Sequence, residues 1–410
     1  MENTLSRNSD RADSRRPCSR AELREWLMIR WFKKIKVGRL SVVFPSGSRA
    51  VFEGRTAGPH AVLNIKSLRL ASRLAVSGDI GFAESYMADE WDTPDLSSLL
   101  TLGALNRDAF HAAIAPSSVI CMANRLYHAF RANTRRGSRR NIAAHYDLGN
   151  RFYDLWLDES MTYSSALFTN TDESMATAQR RKYLRLAEQL QLAPGDRVLE
   201  IGCGWGGFAE IAAAEFGCQV VALTLSVEQA AYARERMRRA GLTDSVEIRI
   251  QDYRETDGQF DKVVSIEMFE AVGEKYWPTY LQTLHARLKP GGKAALQIIT
   301  IDDDHFESYR SNPDFIQRYI FPGGMLPGPK AFERAVAATP LKMRGAFYFG
   351  KSYAETLRRW GHDFQRNWPQ IARLGFDERF FRMWRYYLCY CEAGFDAGDI
   401  DVAHFLIERP

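Results

Sequence analysis

A glycine-rich segment, Val198–Gly207, is the strongest indication of a ligand site in this sequence. It starts with an apolar run that predicts a buried strand, and it leads into a helical pattern that starts at Phe208. Four of its last six residues are glycine, and positions without a Cβ permit a sharp turn and let a ligand approach the backbone. A strand, a glycine turn and a helix N-terminus in this order predict a nucleoside-binding site at the carboxyl end of a strand in a parallel sheet.

The residues around this loop discriminate between cofactors. A dinucleotide site would show G-x-G-x-x-G and an acidic residue at the end of the next strand. The chain has G-x-G-x-G-G instead, and its next strand, residues 218–226, ends without a carboxylate. A phosphate loop of the G-x-x-x-x-G-K-[ST] type is absent from the sequence. With Glu200 in front of it, the segment resembles the first motif of S-adenosylmethionine (SAM) methyltransferases, so we interpret it as a SAM site rather than a dinucleotide site.

The elements that must position this loop alternate between strand and helix along the second part of the chain. Apolar runs predict five strands with helical patterns between them, and a tight turn at residues 289–292 precedes the fifth. A last strand, residues 401–409, follows a long helical insertion at 352–392. This alternation predicts an α/β fold, a doubly wound, Rossmann-like methyltransferase domain with a parallel sheet. The five strands are expected at residues 196–202, 218–225, 245–251, 261–268 and 293–301.

The first part of the chain predicts a smaller α+β domain. Residues 21–36 have the pattern of an amphipathic helix, residues 39–52 that of a β-hairpin, and a strand and helices follow through Leu105. Residues 123–140 contain six arginines and little apolar periodicity, which indicates a linker. We therefore divide the chain into a disordered polar tail (1–20), an N-terminal domain (21–120), a basic linker (121–140) and a catalytic domain (141–410).

Composition excludes several classes of protein. The 410 residues suffice for two domains, and the net charge of +5 is mild. No apolar run approaches the roughly 20 residues that span a bilayer, and the N-terminus lacks the apolar segment of a secretory signal. The six cysteines lack the C-x-x-C spacing of a metal site, so we expect reduced thiols in a cytoplasmic protein without a bound metal.

Six longer motifs carry a specific family resemblance. They are HYDLGNRFYDLWLD (145–158), EIGCGWGG (200–207), TLSVEQ (224–229), EMFEAVG (267–273), YIFPGG (319–324) and RYYLCYCEAGF (385–395). By these motifs the chain resembles the cyclopropane-fatty-acyl-phospholipid synthases, a group that includes the mycolic acid cyclopropane synthases. The resemblance is clear over residues 141–410 and looser over the N-terminal domain.

The resemblance implies that SAM is the co-substrate and that the methyl acceptor is a cis-unsaturated acyl chain of a phospholipid. It also implies which residues contact SAM. The segments that carry them lie after or at the ends of predicted strands, where sheets of this kind bind ligands. These residues are Tyr163, Ser164, Glu200, Gly202, Cys203, Gly204, Trp205, Gly206, Thr224, Leu225, Ser226, Gln229, Gln251, Asp252 and Tyr253.

Methyl transfer to an alkene also needs a base. An alkene is a poor nucleophile, so the methyl donor must be held in line with it in a dry pocket. The carbocation that forms must then lose a proton. The resemblance implies that the base is a bicarbonate ion held by a Cys, a Glu, a His, an Ile backbone and a Tyr. Glu270, Ile299 and Tyr353 match these positions, whereas Ser165 replaces the cysteine and Gln297 replaces the histidine.

These two departures leave two products open. Ser and Gln hydrogen-bond an anion, but neither supplies an imidazolium charge or a titrating group. If bicarbonate still binds, the product is a cyclopropane, which the remaining framework favours. If the proton leaves by another route, the product is a methylene- or methyl-branched chain. Cys391 aligns with a cysteine that the family treats as a candidate active-site residue, although a thiol in an aromatic helix is usually a buried small side chain.

A lipid substrate changes the interpretation of the basic segments. Arginines at 123–140 and the Trp, Lys and Arg residues of helix 21–36 have the composition of a membrane-binding surface. We therefore expect a cytoplasmic protein that docks peripherally on the anionic inner face of the membrane, with an N-terminal domain that captures lipid and forms a homodimer. The alternatives are a small-molecule methyltransferase on the same fold and a non-catalytic lipid- or nucleic-acid-binding protein, although no groove-reading motif supports nucleic acid.

Overall fold

The computed structural model describes residues 19–113, 148–170 and 172–410. Contacts divide the chain into two compact units, residues 1–126 with 375–397 and residues 127–374 with 398–410. The basic linker predicted at 121–140 and nearly all of the predicted tail lie outside the described residues. Each unit is therefore described by itself, from the elements that its own residues form.

The N-terminal unit contains the predicted hairpin. β1 (Val37–Val43) pairs antiparallel with β2 (Arg49–Glu53), and β3 (Thr56–Ile65) runs parallel to β1. A short β4 (Trp91–Asp92) completes a sheet in the order β2-β1-β3-β4. The helices of this part are α1 (Arg20–Phe32), α2 (Arg69–Met87), α3 (Leu96–Leu105) and α4 (Arg107–Ala113).

Helix α1 is shorter than the predicted helix 21–36 and begins with a capping box. The Ser19 hydroxyl accepts a hydrogen bond from the Glu22 amide, and the Glu22 carboxylate accepts one from the Ser19 amide. The aromatic side chains of Trp31 and Phe32 are buried. They therefore belong to the core of the N-terminal unit rather than to an exposed interfacial face.

The catalytic unit is built on a seven-stranded sheet in the order β10-β11-β9-β8-β5-β6-β7. Five of its strands are mutually parallel, and β11 runs antiparallel between β9 and β10. The α/β prediction is confirmed. The strands are β5 (Arg197–Ile201), β6 (Gln219–Thr224), β7 (Val246–Ile250), β8 (Phe260–Ile266), β9 (Leu288–Ile301), β10 (Lys342–Tyr348) and β11 (Ile400–Glu408).

Helices cover both faces of this sheet, and successive strand residues belong to different apolar clusters, as Val198 and Leu199 do on β5. Short 3-10 turns follow β7 and β8, at Tyr253–Glu255 and Phe269–Ala271. The helices of this unit are α5 (Asn150–Asp154), α6 (Met175–Leu190), α7 (Gly207–Phe216), α8 (Val227–Arg239), α9 (Trp277–Arg287), α10 (Asp303–Ser311), α11 (Pro329–Ala337), α12 (Gly350–Arg366) and α13 (Trp368–Ala372). A further helix, α14 (Glu378–Ala397), follows α13 along the chain.

Two strands differ from the sequence-based expectation. β9 begins at Leu288, and the predicted turn at 289–292 therefore lies within the strand. The strand includes these residues because the backbones of Gly291 and Gly292 pair with Arg409 at the end of the chain. β10 was not predicted at all. It lies at the edge of the sheet and most of its residues are exposed or half-exposed, so its sequence lacks the apolar run of a buried strand.

Helix α14 groups with the N-terminal unit, although the sequence analysis assigned it to the catalytic domain. It packs on α2 and α3. The buried guanidinium of Arg382 donates to the carbonyls of Tyr86 and Trp91, and Ser97 donates to Glu392 at 2.7 Å. The N-terminal unit is thus completed by a segment distant in sequence, which local patterns do not indicate.

Candidate active site

The glycine loop after β5 has the backbone that a ligand cradle needs. Gly202, Gly204 and Gly206 have positive φ angles of 86°, 53° and 85°, which L-residues with side chains rarely adopt. A Cβ on Gly202 would lie 2.9 Å from the side chain of Met268. The backbone conformation therefore favours glycine at all three positions, and Gly202 also lacks room for a side chain; the loop leads directly into the N-terminus of α7, as the sequence predicts.

Glu200, at the end of β5, is a buried carboxylate with unused hydrogen-bonding capacity. Burial raises its pKa to about 8, against the lowering effect of Arg236 and of a hydrogen bond from the Ala209 amide. Among the described residues its Oε2 atom has no hydrogen-bond partner. A buried acceptor left unpaired beside a glycine cradle fits a ligand that brings its own donors, as the amino group and ribose hydroxyls of SAM would.

The next strand ends in a turn that is closed by its own polar side chains. The Thr224 hydroxyl accepts a hydrogen bond from the backbone amide of Ser226 and donates one to the side-chain oxygen Oε1 of Gln229 at 2.9 Å. The Ser226 hydroxyl caps α8 by accepting from the Gln229 amide. Leu225 is half-buried in the same turn, whereas Val227 and Glu228 at the start of α8 are exposed, so the buried part of the predicted cofactor segment 224–229 is the turn itself and Gln229.

The third strand end is also ordered by local bonds. Asp252 is buried and pairs with Arg254 at 2.6 Å, and the Gln251 side chain donates to the carbonyl of Glu255. Tyr253 lies against the ring of Tyr280 at 5.2 Å between centroids. The ends of β5, β6 and β7, which are neighbours in the sheet, therefore carry three of the four predicted cofactor segments.

An aromatic cluster surrounds the fourth predicted segment. The ring centroid of Tyr163 lies 5.4 to 5.5 Å from those of Tyr153, Trp156 and Trp360. Trp205, from the glycine loop, contacts Tyr153 at 5.1 Å. The π faces of such rings can stabilise a cation by a desolvated cation–π interaction, which suits both a sulfonium and a carbocation.

The centre of the site is a carboxylate that the sequence analysis did not select. Glu267 follows β8 with a φ angle of +51°, in the left-handed region. Its Oε1 accepts hydrogen bonds from the Ser165 amide at 2.9 Å and from the Gln297 side-chain amide at 2.6 Å. Its Oε2 accepts one from the Tyr353 hydroxyl at 2.6 Å. Three of the residues that the family resemblance assigned to bicarbonate therefore converge on the Glu267 side chain.

A buried lysine faces this carboxylate. Lys182 on α6 is fully buried and donates to the Ser164 hydroxyl at 2.6 Å. Burial lowers the pKa of Lys182 to about 7, against the raising effect of the Glu267 charge. Burial likewise raises the pKa of Glu267, against the lowering effects of the Tyr353 hydrogen bond and of Lys182. The two groups thus stabilise each other's charged forms in a dry environment.

Glu270, the second buried carboxyl group near this pair, differs from Glu267 in its hydrogen-bond partners and in its protonation. Its Oε1 accepts a hydrogen bond from the Ile299 amide at 2.6 Å, so two residues that the resemblance assigned to bicarbonate bond to each other. Burial, and then the charge of Glu267, raise the pKa of Glu270 to about 8. Its Oε2 has no partner among the described residues. Glu270 is therefore mainly a neutral acid at pH 7, and Glu267 is the carboxylate with the donors that favour a charge.

The predicted catalytic residues are only partly brought together. Ser165, Gln297 and Tyr353 meet at Glu267, but the Ser165 hydroxyl itself donates to the neighbouring carbonyl of Ala166. Cys391 lies on α14, which belongs to the N-terminal unit, and it is half-buried and forms no disulfide bond with another described residue. His145 and Tyr146 of the first motif lie outside the described residues.

Glu267, Lys182 and His404 were missed. Glu267 stands at a predicted strand end inside the EMFEAVG motif, which was a usable signal. Lys182 lies on a helix that none of the six motifs covers. His404 on β11 lies directly opposite Gln297 on β9, and its Nε2 atom lies 2.9 Å from the side-chain oxygen Oε1 of Gln297. Contacts of this kind depend on strand pairing and are not visible in the sequence.

A parallel sheet with a glycine cradle after its first strand and buried polar turns after the next two defines the class of SAM-dependent methyltransferases. Solved structures agree. The mycolic acid cyclopropane synthase CmaA1, crystallised with S-adenosylhomocysteine, aligns with a TM-score of 0.62 at 30% identity, over 66% of this chain and 98% of that one. The cyclopropane synthase MmaA2 of Mycobacterium tuberculosis gives 0.62 at 29% identity, with the same coverage. The protein is a SAM-dependent methyltransferase.

Its family follows from sequence comparison. The profile of the mycolic acid cyclopropane synthetase family matches residues 133–405, and the chain belongs to this family. The tuberculostearic acid methyltransferase UfaA1 of M. tuberculosis is 43% identical over 83% of this chain and 81% of its own length. The cyclopropane-fatty-acyl-phospholipid synthase of Escherichia coli K12 is 34% identical over 85% and 88%. No helix within the described residues is long and apolar enough to cross a membrane.

Proposed function

We propose that this enzyme methylates a double bond in a phospholipid acyl chain and that Glu267, rather than a bound bicarbonate, accepts the proton. One observation carries the proposal. The Ser165 amide, the Gln297 amide and the Tyr353 hydroxyl, which would hold a bicarbonate, all donate to the Glu267 carboxylate at 2.6 to 2.9 Å. A second anion at the same donors would lie against a buried negative charge and lack partners.

The chemistry balances with this chain's own groups. SAM, when bound, supplies an electrophilic methyl group. The alkene electron pair forms the new carbon–carbon bond, which leaves a cation on the other alkene carbon. A hydride then shifts from the methylated carbon to the cationic carbon. The positive charge now lies on the carbon that carries the new methyl group. Glu267 then takes a proton from that methyl group, so that a methylene branch forms and Glu267 becomes a neutral acid. A saturated methyl branch would require a separate reductant.

The remaining groups have supporting roles. The Tyr163, Trp156 and Trp360 rings exclude water and offer π faces to the cation. The charge of Lys182 opposes the rise in the pKa of Glu267 that burial causes, and so favours the ionised carboxylate before the transfer, whereas burial raises the pKa of Glu270 to about 8 and disfavours a second negative charge. The carbocation therefore forms beside one carboxylate, which is both its counter-charge and its base.

A second candidate is ring closure to a cyclopropane. It is favoured by Glu270, Ile299 and Tyr353, which match the cyclopropane synthase framework, and by the E. coli relative, which is a cyclopropane-fatty-acyl-phospholipid synthase. The methylene product is preferred because the relative with 43% identity is a tuberculostearic acid methyltransferase and because the anion position carries a tethered carboxylate. Ring closure remains the outcome to exclude by product analysis.

The test is the fatty-acid composition of an E. coli strain without its own cyclopropane synthase, with and without this protein. Gas chromatography with mass spectrometry should detect an acyl chain heavier by one CH2 that adds hydrogen readily to give a single methyl branch. A product that resists mild hydrogenation is a cyclopropane and would overturn the role of Glu267 in directing the product. No new lipid, together with labelling of a soluble compound by methyl-labelled SAM, would favour a small-molecule methyltransferase.

We also propose peripheral docking on an anionic membrane. The proposal is supported by the proposed substrate, a phospholipid that resides in the bilayer. It is also supported by the arginines of residues 123–140, which lie outside the described residues. Each basic group near such a surface contributes about 1 kcal/mol at most. Flotation with vesicles of phosphatidylglycerol should therefore show binding that falls at high salt, and binding equal on neutral vesicles would refute the electrostatic part.

A further inference from the structure

The polar network at Glu267 extends one residue further, to a histidine that no step of the proposed chemistry uses. His404 lies on β11, paired directly opposite Gln297 on β9, and is fully buried. Opposed residues of an antiparallel pair place their side chains on the same face. The His404 Nε2 lies 2.9 Å from Gln297 Oε1, and Gln297 Nε2 lies 2.6 Å from Glu267 Oε1. The chain of contacts thus runs from β11 through β9 to the loop after β8.

The surroundings of His404 hold its ring in the neutral state. The ring of Phe349 contacts it edge-on at 4.7 Å. Arg185 and Lys182 on α6 are the charged groups that act on it, and both disfavour an imidazolium. Burial, followed by these two charges, lowers the pKa of His404 to about 3. A neutral imidazole has one N–H, and its location decides the direction of the network.

One direction of the network satisfies the atoms that are in contact. With the proton on Nε2, His404 donates to Gln297 Oε1, and the Gln297 NH2 group donates to the Glu267 carboxylate. The Nδ1 atom has no hydrogen-bond partner among the described residues in either tautomer, but with the proton on Nδ1 the Nε2 lone pair would face the lone pairs of Gln297 Oε1 at 2.9 Å. Turning the Gln297 amide to avoid this contact would direct its oxygen at the carboxylate at 2.6 Å, which is repulsive.

We propose that His404 is a positioning residue, whose Nε2–H fixes the side-chain amide of Gln297 so that its NH2 group donates to Glu267. The inference rests on the proposed function in that Glu267 is the base, but the orientation of the network does not depend on the product formed. His404 neither touches the reacting atoms nor titrates in the working range. Its effect is transmitted through Gln297.

The expected consequence is a change in the ionisation of Glu267. The titratable groups that face Glu267 are Lys182 from α6, Tyr353 from α12 and Glu270 in its own turn. None of these is altered by a change at His404. Without the His404 donor, the Gln297 amide is free to rotate, and Glu267 loses one of three donors to its charged form. Its pKa then rises, by about one unit for a charge-assisted hydrogen bond.

A matched pair of variants tests this. His404→Met and His404→Gln have similar size, but only glutamine retains an N–H for Gln297. Methyl transfer from labelled SAM to dioleoylphosphatidylglycerol vesicles is measured against pH. We expect the acidic limb of kcat to move upward by about one pH unit in His404→Met and to stay in place in His404→Gln. Phe405→Leu, next on the strand but packed in the opposite cluster, controls for lost packing and should not move the limb.

An activity-independent readout separates this inference from the proposed function. Infrared difference spectra of 13C-glutamate-labelled protein, referenced to Glu267→Gln, follow the carboxylate band of Glu267 against pH. The same upward shift in His404→Met supports the network even if the wild type methylates no lipid. Coincident titrations of His404→Met and wild type, or an equal shift in His404→Gln, would overturn it. If His404→Met fails to fold, His404→Asn, which withdraws the donor from Gln297, replaces it.

Discussion

Replacing Glu267 by glycine is the most informative perturbation of the site. The residue has a φ angle of +51°, which glycine adopts without strain, so the change relieves the backbone while it removes the base. It also leaves the Ser165 amide, the Gln297 amide and the Tyr353 hydroxyl without their common acceptor. The variant therefore creates a small cavity lined by three donors near the Lys182 side chain, whose charged form a bound anion would favour again as Glu267 does in the wild type, and this is a suitable site for a soluble anion.

The magnitude follows from the loss of a general base. Such groups contribute about 10²- to 10⁴-fold to a rate, which corresponds to roughly 3–5 kcal/mol of activation free energy. We expect kcat of Glu267→Gly to fall by this factor at neutral pH. Added bicarbonate or formate should restore part of it, because each can bind the three donors and accept the proton. If bicarbonate acts at a different angle from the tethered carboxylate, the restored product will include the cyclopropane.

The assay is methyl transfer from labelled SAM to unsaturated phospholipid vesicles, with product analysis and a bicarbonate titration in CO2-depleted buffer. Glu267→Gln is the control, since it removes the charge but fills the cavity, and it should be inactive with or without bicarbonate. SAM affinity measured by calorimetry should be unchanged in both variants. Activity of Glu267→Gln within about tenfold of wild type, less than the smallest factor expected of a base, would refute the assignment of Glu267 as the base.

Three further predictions concern the surroundings. Burial raises the pKa of Glu270 from 4.5 to about 8 in the folded state, so the contribution of Glu270 to the free energy of unfolding falls as the pH rises from 4.5 to 8. Chemical denaturation should therefore show Glu270→Gln gaining stability relative to the wild type across this window, by up to about 1.4 kcal/mol per pH unit. A difference in stability that stays constant with pH would contradict the burial effect. Gly202→Ala forces a side chain into positive φ and toward Met268, so calorimetry should show SAM affinity reduced about tenfold for a strain of 1–2 kcal/mol; unchanged affinity would argue against the cradle. Cys391→Ser should keep kcat within about threefold, because the chemistry requires no thiol, and a loss of two orders of magnitude would restore Cys391 as a catalytic residue.

Much of the fold could be predicted from local patterns. The five parallel strands were placed within a few residues, apart from the earlier start of β9, because each is a buried apolar run between helices. β10 escaped because an exposed edge strand has no such run. The grouping of α14 with the N-terminal unit escaped as well, because it depends on the contacts of Arg382 and Glu392 with residues almost 300 positions earlier.

The site shows the same division. The segments after β5, β6 and β7 that we assign to the cofactor could be predicted to lie at neighbouring strand ends, because glycine conformations and strand ends are local properties. Ser165 and Gln297 were recognised as departures from the family pattern, but their consequence was open, because the sequence alone does not tell what occupies the space between them. The tertiary structure answers this by placing the Glu267 carboxylate there.

Local sequence patterns were therefore enough to indicate the class of enzyme, to predict a co-substrate loop and to mark Ser165 and Gln297 as departures from the family pattern. Which group their donors bond to became visible only in the folded chain. A carboxylate, an amide and a hydroxyl from residues 267, 297 and 353 meet because parallel and antiparallel pairing brings β8, β9 and β11 side by side and packs α12 on β11. In that dry interior, burial and three donors set the charge of Glu267, and neither burial nor the donors are properties of a residue in isolation.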